Sequence, residues 1–287
     1  MSNRPLLDTR TDADLFVGRE LELNRLTRAV ELGLNALVVG TAGVGKTSLL
    51  RQLAYRLRGN GQAVHHLTAG RLTGVQDVLD QLEQLRADAT QVVLLDEPEL
   101  DLATNLFGRL RDELWQLPFT WIVAVEPPAA TVLAKAPIDA FFEVRLEIDP
   151  LAPGELRTML DRRLPAGALP DSVLDELTAD DEPRRVLDAA RQLLTGASWP
   201  ELKEARKQRD TAVGKLSRPE REAIRALESV GGAASASDPD LLAALGWTRA
   251  RAVQVLGALA EAGILIAESV RGNGAGRPRK VYRLALP

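Results

Sequence analysis

The residues from Gly40 to Thr47 read GTAGVGKT and match the spacing G-x-x-x-x-G-K-[ST]. Each residue type in that pattern suits a polyphosphate. Gly43 and Gly45 let the backbone of Gly40, Thr41, Ala42, Gly43, Val44 and Gly45 turn so that successive N–H groups point inward at anionic oxygens. Lys46 supplies a charge for the β and γ phosphates. Thr47 offers a hydroxyl to Mg²⁺, and Ser48 lies in the first turn of a helix whose N-terminus is itself partly positive. Hydrolysis needs two further groups, and the stretch QVVLLDEPEL holds both. Asp96 is placed to hold the metal, and Glu97 to orient or deprotonate a water. The expected ligands are therefore ATP and Mg²⁺, the metal residues Thr47 and Asp96, and the catalytic residues Lys46 and Glu97.

These groups have to be carried by strand ends. Ala36 to Val39 is a short apolar run of the kind found in a buried parallel strand, and TSLLRQLAYRL after it has helical spacing. Val92 to Leu95 is a second such run, and AVHHLTAG, FTWIVAVEP and FFEVRLEI read as three more. Helices are expected over Val75 to Arg86 and Leu100 to Trp115. The alternation implies an α/β fold, a parallel sheet with helices on both faces. His65 and His66 are the only histidines, and as strand neighbours they face opposite ways, against a joint metal role.

At 287 residues the chain is long enough for two or three compact units. It has no cysteine, so disulfides and thiolate metal sites are excluded, and a reducing compartment fits. The polar start MSNRPLLDTRTDADLF lacks an apolar signal core, and no run is long enough to span a bilayer, so a cytoplasmic protein without membrane contact is expected. The formal charge of -4 conceals an asymmetry: from Lys215 onward there are 11 Lys and Arg against 7 Asp and Glu, whereas the preceding part carries 25 against 33. An acidic body and a basic end suggest different partners.

The stretch LFVGRELELNRL ahead of the first strand resembles the VGRE box of AAA+-like ATPases, in particular the initiator (Orc/Cdc6-type) and STAND or archaeal-ATPase branches. The resemblance implies that Phe16, Val17, Gly18 and Arg19 lie against the adenine; a polar cap before an amphipathic helix accounts for the same residues. VRLEIDPLAPGELRTMLDRRL resembles the exit from the core into a helical lid, and DDEPRRVLDAARQLL the lid's sensor-2 helix, which brings Arg184 to the γ-phosphate. A solvated helix start is the other reading of Arg184 and Arg185. LLDEP occurs in transporter-type ATPases too, but no LSGGQ-like signature accompanies it here. In two places the chain departs from the pattern. Glu126, followed by two prolines, stands where the polar sensor-1 residue belongs. Before FFEVRLEI, only Lys135 is offered where a trans-acting arginine would be, and Arg145 further on is better suited to a salt bridge. Slow hydrolysis is the expectation.

Beyond Thr195 the pattern changes. SWPELKEARKQRDTAVGKL reads as a charged connecting helix. Three helices follow, opened by Ser217, Asp238 and Thr248, the third closed by Gly263, and then two strands, ILIAESV and KVYRLAL, around a glycine-rich tip. That order is the winged-helix order, whose third helix enters a DNA major groove. Arg249 and Arg251 in its first turn, with Arg277, Arg279 and Lys280 on the wing, are the expected contacts to double-stranded DNA. The division expected is residues 1–150 for the P-loop NTPase core, 151–197 for the lid, 198–214 for a linker helix and 215–287 for the winged-helix domain. The functional expectation is an ATPase that couples nucleotide state to DNA. A STAND-type switch whose winged helix meets protein is the alternative, and homo-oligomerisation or a protein partner is left open.

Overall fold

The computed structural model describes residues 4–68, 74–85, 91–179, 182–214, 216–230, 232–262, 264–270 and 279–284. The chain divides into two compact units, Met1–Thr195 and Gly196–Pro287.

The first unit is built on five strands: β1 (Ala36–Val39), β2 (Val64–Thr68), β3 (Gln91–Asp96), β4 (Phe119–Val125) and β5 (Val144–Glu147). All pair in parallel in the order β2-β3-β4-β1-β5. A parallel sheet is buried on both faces, which explains why these strands read as unbroken apolar runs. The side chains alternate as a two-residue period requires. Leu37, Val39, Val93, Leu95, Trp121 and Val123 enter one core, while Ala36, Val38, Val92, Leu94, Ile122 and Ala124 enter the other. The helices α1 (Arg10–Asp14), α2 (Glu20–Glu31) and α3 (Lys46–Gly59) come first in the chain. Leu23 and Leu26 of α2 and Leu49, Leu50 and Leu53 of α3 fill the second core. The helices α4 (Val75–Gln84), α5 (Leu100–Thr104), α6 (Arg111–Trp115) and α7 (Pro127–Leu133) supply Val78, Leu102, Leu114 and Leu133 to the first.

Three sequence expectations change. The helix expected over Leu100 to Trp115 is broken by a π turn at Asn105–Arg109. There Phe107 is fully buried against Trp121, Phe141 and Phe142, and Gly108 lies so near Ile138 that an added Cβ would come within 3.1 Å of its Cγ1. The wide turn seats the aromatic cluster where a regular helix was expected. The strand expected from Phe141 begins only at Val144, because Ile138–Phe141 forms a 3-10 turn that drives Phe141 into the same cluster. The helix expected over Val75 to Arg86 ends at Gln84, and Arg86 lies outside the described residues.

Three helices close the unit: α8 (Pro153–Arg163), α9 (Asp171–Thr178) and α10 (Pro183–Leu194). Proline stands in the first turn of α8 and of α10, where its missing N–H costs nothing. The Glu155 carboxylate accepts the Ala152 N–H at 2.8 Å at the start of α8.

The second unit contains α11 (Trp199–Gly214), α12 (Arg218–Ser229), β6 (Ala233–Ser235), α13 (Pro239–Leu245), α14 (Arg249–Glu261), β7 (Leu265–Val270) and β8 (Arg279–Leu284). Glu220 reaches back to the Ser217 N–H at 2.7 Å, Asp238 accepts from Asp240 and Leu241 N–H, and Thr248 accepts from Arg251 N–H. Each is a cap read from the sequence. The strand β6 was not expected; it pairs antiparallel with β8, and the sheet order is β6-β8-β7. Gly263, named as the stop of α14, and the glycines of the expected wing tip lie outside the described residues. Among the described residues no helix is long and apolar enough to cross a membrane.

Candidate functional site

The sheet order sets the site. The strands β1 and β3 are separated by β4, and all three end at one edge. Open parallel sheets bind ligands beyond the carboxyl ends of their strands, where the chain leaves in different directions. After β1, Gly43 (φ 81°) and Gly45 (φ 109°) take left-handed turns, and α3 begins at Lys46. The Gly40 N–H donates to Val125 O at 3.2 Å, tying the loop to β4.

The Lys46 side chain is only 2% exposed. Its ammonium donates to Gly40 O at 2.9 Å and Thr41 O at 3.0 Å, and lies 2.9 Å from Glu97 Oε1. The Thr47 hydroxyl donates to Asp96 Oδ2 at 2.6 Å, while Asp96 Oδ1 is buried and has no hydrogen-bond partner among the described residues. Burial pushes the Asp96 carboxyl above its usual pKa, opposed by the Thr47 hydrogen bond. An orphaned carboxylate oxygen beside a hydroxyl is a donor set that suits Mg²⁺. Among the described residues no group of three or more His, Asp or Glu is placed to hold an ion alone. That agrees with a hard cation held by one or two protein ligands, substrate phosphates and water.

Glu97 adopts a left-handed conformation (φ 49°), and its side chain is 49% exposed. Its N–H donates to Ala124 O at 2.9 Å, which fixes the backbone at the end of β3. Glu126 follows β4 directly. Burial raises its pKa, Lys46 opposes that, and the charges of Glu97 and Glu182 add to it. The charge on Glu126 is therefore coupled to those of Lys46, Glu97 and Glu182.

The start of α10 closes over the loop. A Cβ added at Gly43 would meet Arg184 Cβ at 3.2 Å and Glu182 Oε2 at 3.3 Å, and the Thr41 hydroxyl donates to Glu182 Oε1 at 3.3 Å. Arg184 thus lies at the phosphate loop. Glu182, which sequence reasoning passed over, lies there too; its only signal was its place as N-cap of the helix carrying Arg184.

The base-side residues divide. A cavity of about 630 Å³ is lined by Phe16, Val17, Gly18, Tyr55, Arg56 and Arg162, among others. The Arg162 guanidinium donates to Phe16 O at 2.7 Å and Asp14 O at 3.1 Å, so α8 is latched to this segment. Gly18 has φ 68°, and an added Cβ would stand 2.7 Å from Glu155 Oε1. Arg19 is committed elsewhere: its guanidinium pairs with Glu22 at 3.1 Å and donates to Asp149 O. Ser48 also points away, its Oγ accepting the Leu6 N–H at 3.3 Å. Arg145, the finger candidate, pairs with Glu147 at 3.3 Å.

In the second unit Arg249 and Arg251 are exposed in the first turn of α14, and the Arg251 guanidinium lies 4.6 Å from the centre of the Trp247 ring. Lys280 is exposed on β8, its ammonium 5.5 Å from the Tyr282 ring centre. Arg279 opens β8, and Arg277 lies outside the described residues.

No family model and no curated protein matches this chain. Solved structures do. The Thermotoga maritima RuvB Holliday junction branch migration motor is 20% identical with a TM-score of 0.54, over 97% of this chain and 95% of that one. The Aeropyrum pernix Orc1 protein, solved in complex with DNA, is 20% identical with a TM-score of 0.52, over 96% and 91%. Cdc6p from Pyrobaculum aerophilum is 15% identical with a TM-score of 0.51, over 96% and 94%. At such identities the likeness is one of fold: a five-stranded parallel sheet with helices, followed by a second unit.

Proposed function

We propose that this chain is an AAA+-like ATPase that binds ATP with Mg²⁺, hydrolyses it slowly, and couples the bound nucleotide to double-stranded DNA through a C-terminal winged helix. One observation carries the reading. Lys46, Thr47, Asp96 and Glu97 come together at one sheet edge, with Thr47 bonded to Asp96 and Lys46 paired to Glu97.

Thr47 and Asp96 would hold Mg²⁺, which, when bound, neutralises charge building on the phosphates. Lys46 must exchange Glu97 and the loop carbonyls for phosphate oxygens. Released from Lys46, the exposed Glu97 can orient a water and take its proton. Arg184 and the N-terminus of α10 add positive charge at the loop. No arginine among the described residues near β5 stands unpaired as a finger, since Arg145 is held by Glu147. An arginine finger is worth roughly 10³–10⁵ in rate, so turnover without one is slow. In the second unit, three helices followed by β7 and β8 have the winged-helix order, with α14 as the groove-entering helix. The Orc1 neighbour, solved with DNA, supports the same partner.

A second reading, a STAND-type switch whose winged helix meets protein, is favoured by Val253, 47% exposed on α14. A valine there is equally suited to a thymine methyl group.

The nucleotide half is tested with Lys46→Ala. ATP affinity, measured by calorimetry, should fall about 10- to 100-fold, the value of a charge-assisted phosphate contact. Wild-type affinity in the variant would refute the phosphate-loop assignment.

A further inference from the structure

Three carboxylates stand at the phosphate loop beside two cations, Lys46 and Arg184: Glu97 is paired to Lys46, Glu182 is bonded to Thr41, and Glu126 lies at the end of β4. Glu126 follows two β4 residues whose backbones are held by hydrogen bonds. Val125 pairs with Val39 in register, and its carbonyl accepts the Gly40 N–H at 3.2 Å. On the other side the Ala124 carbonyl accepts the Glu97 N–H at 2.9 Å. Glu126 therefore directly follows the β4 residue that pairs with Val39 and holds Gly40, which sets its backbone beside the first glycine of the phosphate loop.

Two observations leave its charge unspent. Glu126 is the N-cap residue of α7, yet its side chain makes no capping hydrogen bond, so the helix N–H groups do not absorb the carboxylate. Lys46, whose charge bears on it, is already engaged by Glu97 and two carbonyls. Glu97 can swing away, being half exposed. Glu126 is partly buried at a fixed corner of the sheet.

We infer that Glu126 makes this site discriminate between nucleotides by their terminal phosphate, favouring a nucleoside diphosphate over a triphosphate. A γ-phosphate beyond the loop brings its charge toward the Glu126 carboxylate, whereas the α and β phosphates of a diphosphate lie within the cradle of N–H groups. The inference rests on the assignment of Gly40–Thr47 as a phosphate loop.

The test is calorimetric, on the full chain, with Mg·ADP and with a non-hydrolysable Mg·ATP analogue. Wild type should bind the diphosphate about tenfold or more tightly than the analogue, the order expected of one partly screened like charge. Glu126→Gln keeps the shape and removes the charge. It should tighten the analogue by about tenfold and change the diphosphate less than about twofold. Glu126→Ser, which removes the charge while offering an N-cap hydroxyl to α7, should behave alike and guards against a folding defect in the first variant. Equal shifts for both nucleotides, or none, would overturn the inference while leaving the phosphate loop standing. If wild type bound neither nucleotide, the loop assignment itself would fall, and this inference with it.

Discussion

Burial decides the behaviour of single residues on this sheet. His66 lies on β2 with its Nε2 buried and unpartnered among the described residues, and burial, helped by Arg51 and Arg58, pushes its pKa from 6.5 to about 4. The folded chain then refuses a proton that the unfolded chain accepts between pH 6.5 and 4. Stability from this residue is complete above pH 6.5 and is lost as the pH falls toward 4. Because the ring keeps some solvent contact, the loss between pH 7.5 and 5 should be about 1 kcal/mol rather than the full value of the shift. Urea unfolding of wild type and His66→Leu at both pH values checks this: the variant should lose less stability on acidification, and parallel losses would mean the ring is solvated. The meeting of Lys46, Thr47, Asp96 and Glu97 at one sheet edge was legible from type and spacing. The commitment of Arg19 to Asp149 was not, since its partner is 130 residues away. Nor was the partial burial of Glu126, which depends on how β4 pairs.

At the scale of elements, alternation and capping made most of the fold readable. The five strands of the large sheet and the caps at Ser217, Asp238 and Thr248 carry local signals; the three-residue β6 within GGAASAS carries none and exists through pairing with β8. The π turn within the expected helix of Leu100 to Trp115 was equally hidden, for it answers to Phe141 and Ile138. One residue holds several of these elements in register. Asn35 is 5% exposed, donates to Phe141 O at 3.1 Å, accepts the Trp121 N–H at 2.9 Å through its side chain, and donates its own N–H to Glu143 at 2.8 Å. Asn35→Leu would leave a buried carbonyl and a buried N–H unpaired at the entry to β1, β4 and β5. Each such group costs about 1–3 kcal/mol, so a loss of about 2–4 kcal/mol is expected in denaturant titration. A change below about 1 kcal/mol would mean that water reaches both groups.

On the scale of the whole molecule, charge is divided unevenly between the two units. The acidic unit holds the Gly40–Thr47 loop, and the basic unit presents Arg249, Arg251 and Lys280 on its surface. Charge asymmetry and helix order were readable from composition and pattern; the proposed coupling of nucleotide to DNA concerns states of the protein and has to be measured. The most direct measurement is DNA affinity of the intact chain, by fluorescence anisotropy on one duplex across a salt series, with ADP, with a non-hydrolysable ATP analogue, and without nucleotide. Three to five phosphate contacts predict a slope of log affinity against log salt of about -3 to -5. Coupling predicts that affinity at fixed salt differs by about fivefold or more between nucleotide states, and that Lys46→Ala abolishes the difference without abolishing binding. Salt-insensitive binding, or one affinity in all three states, would contradict the account.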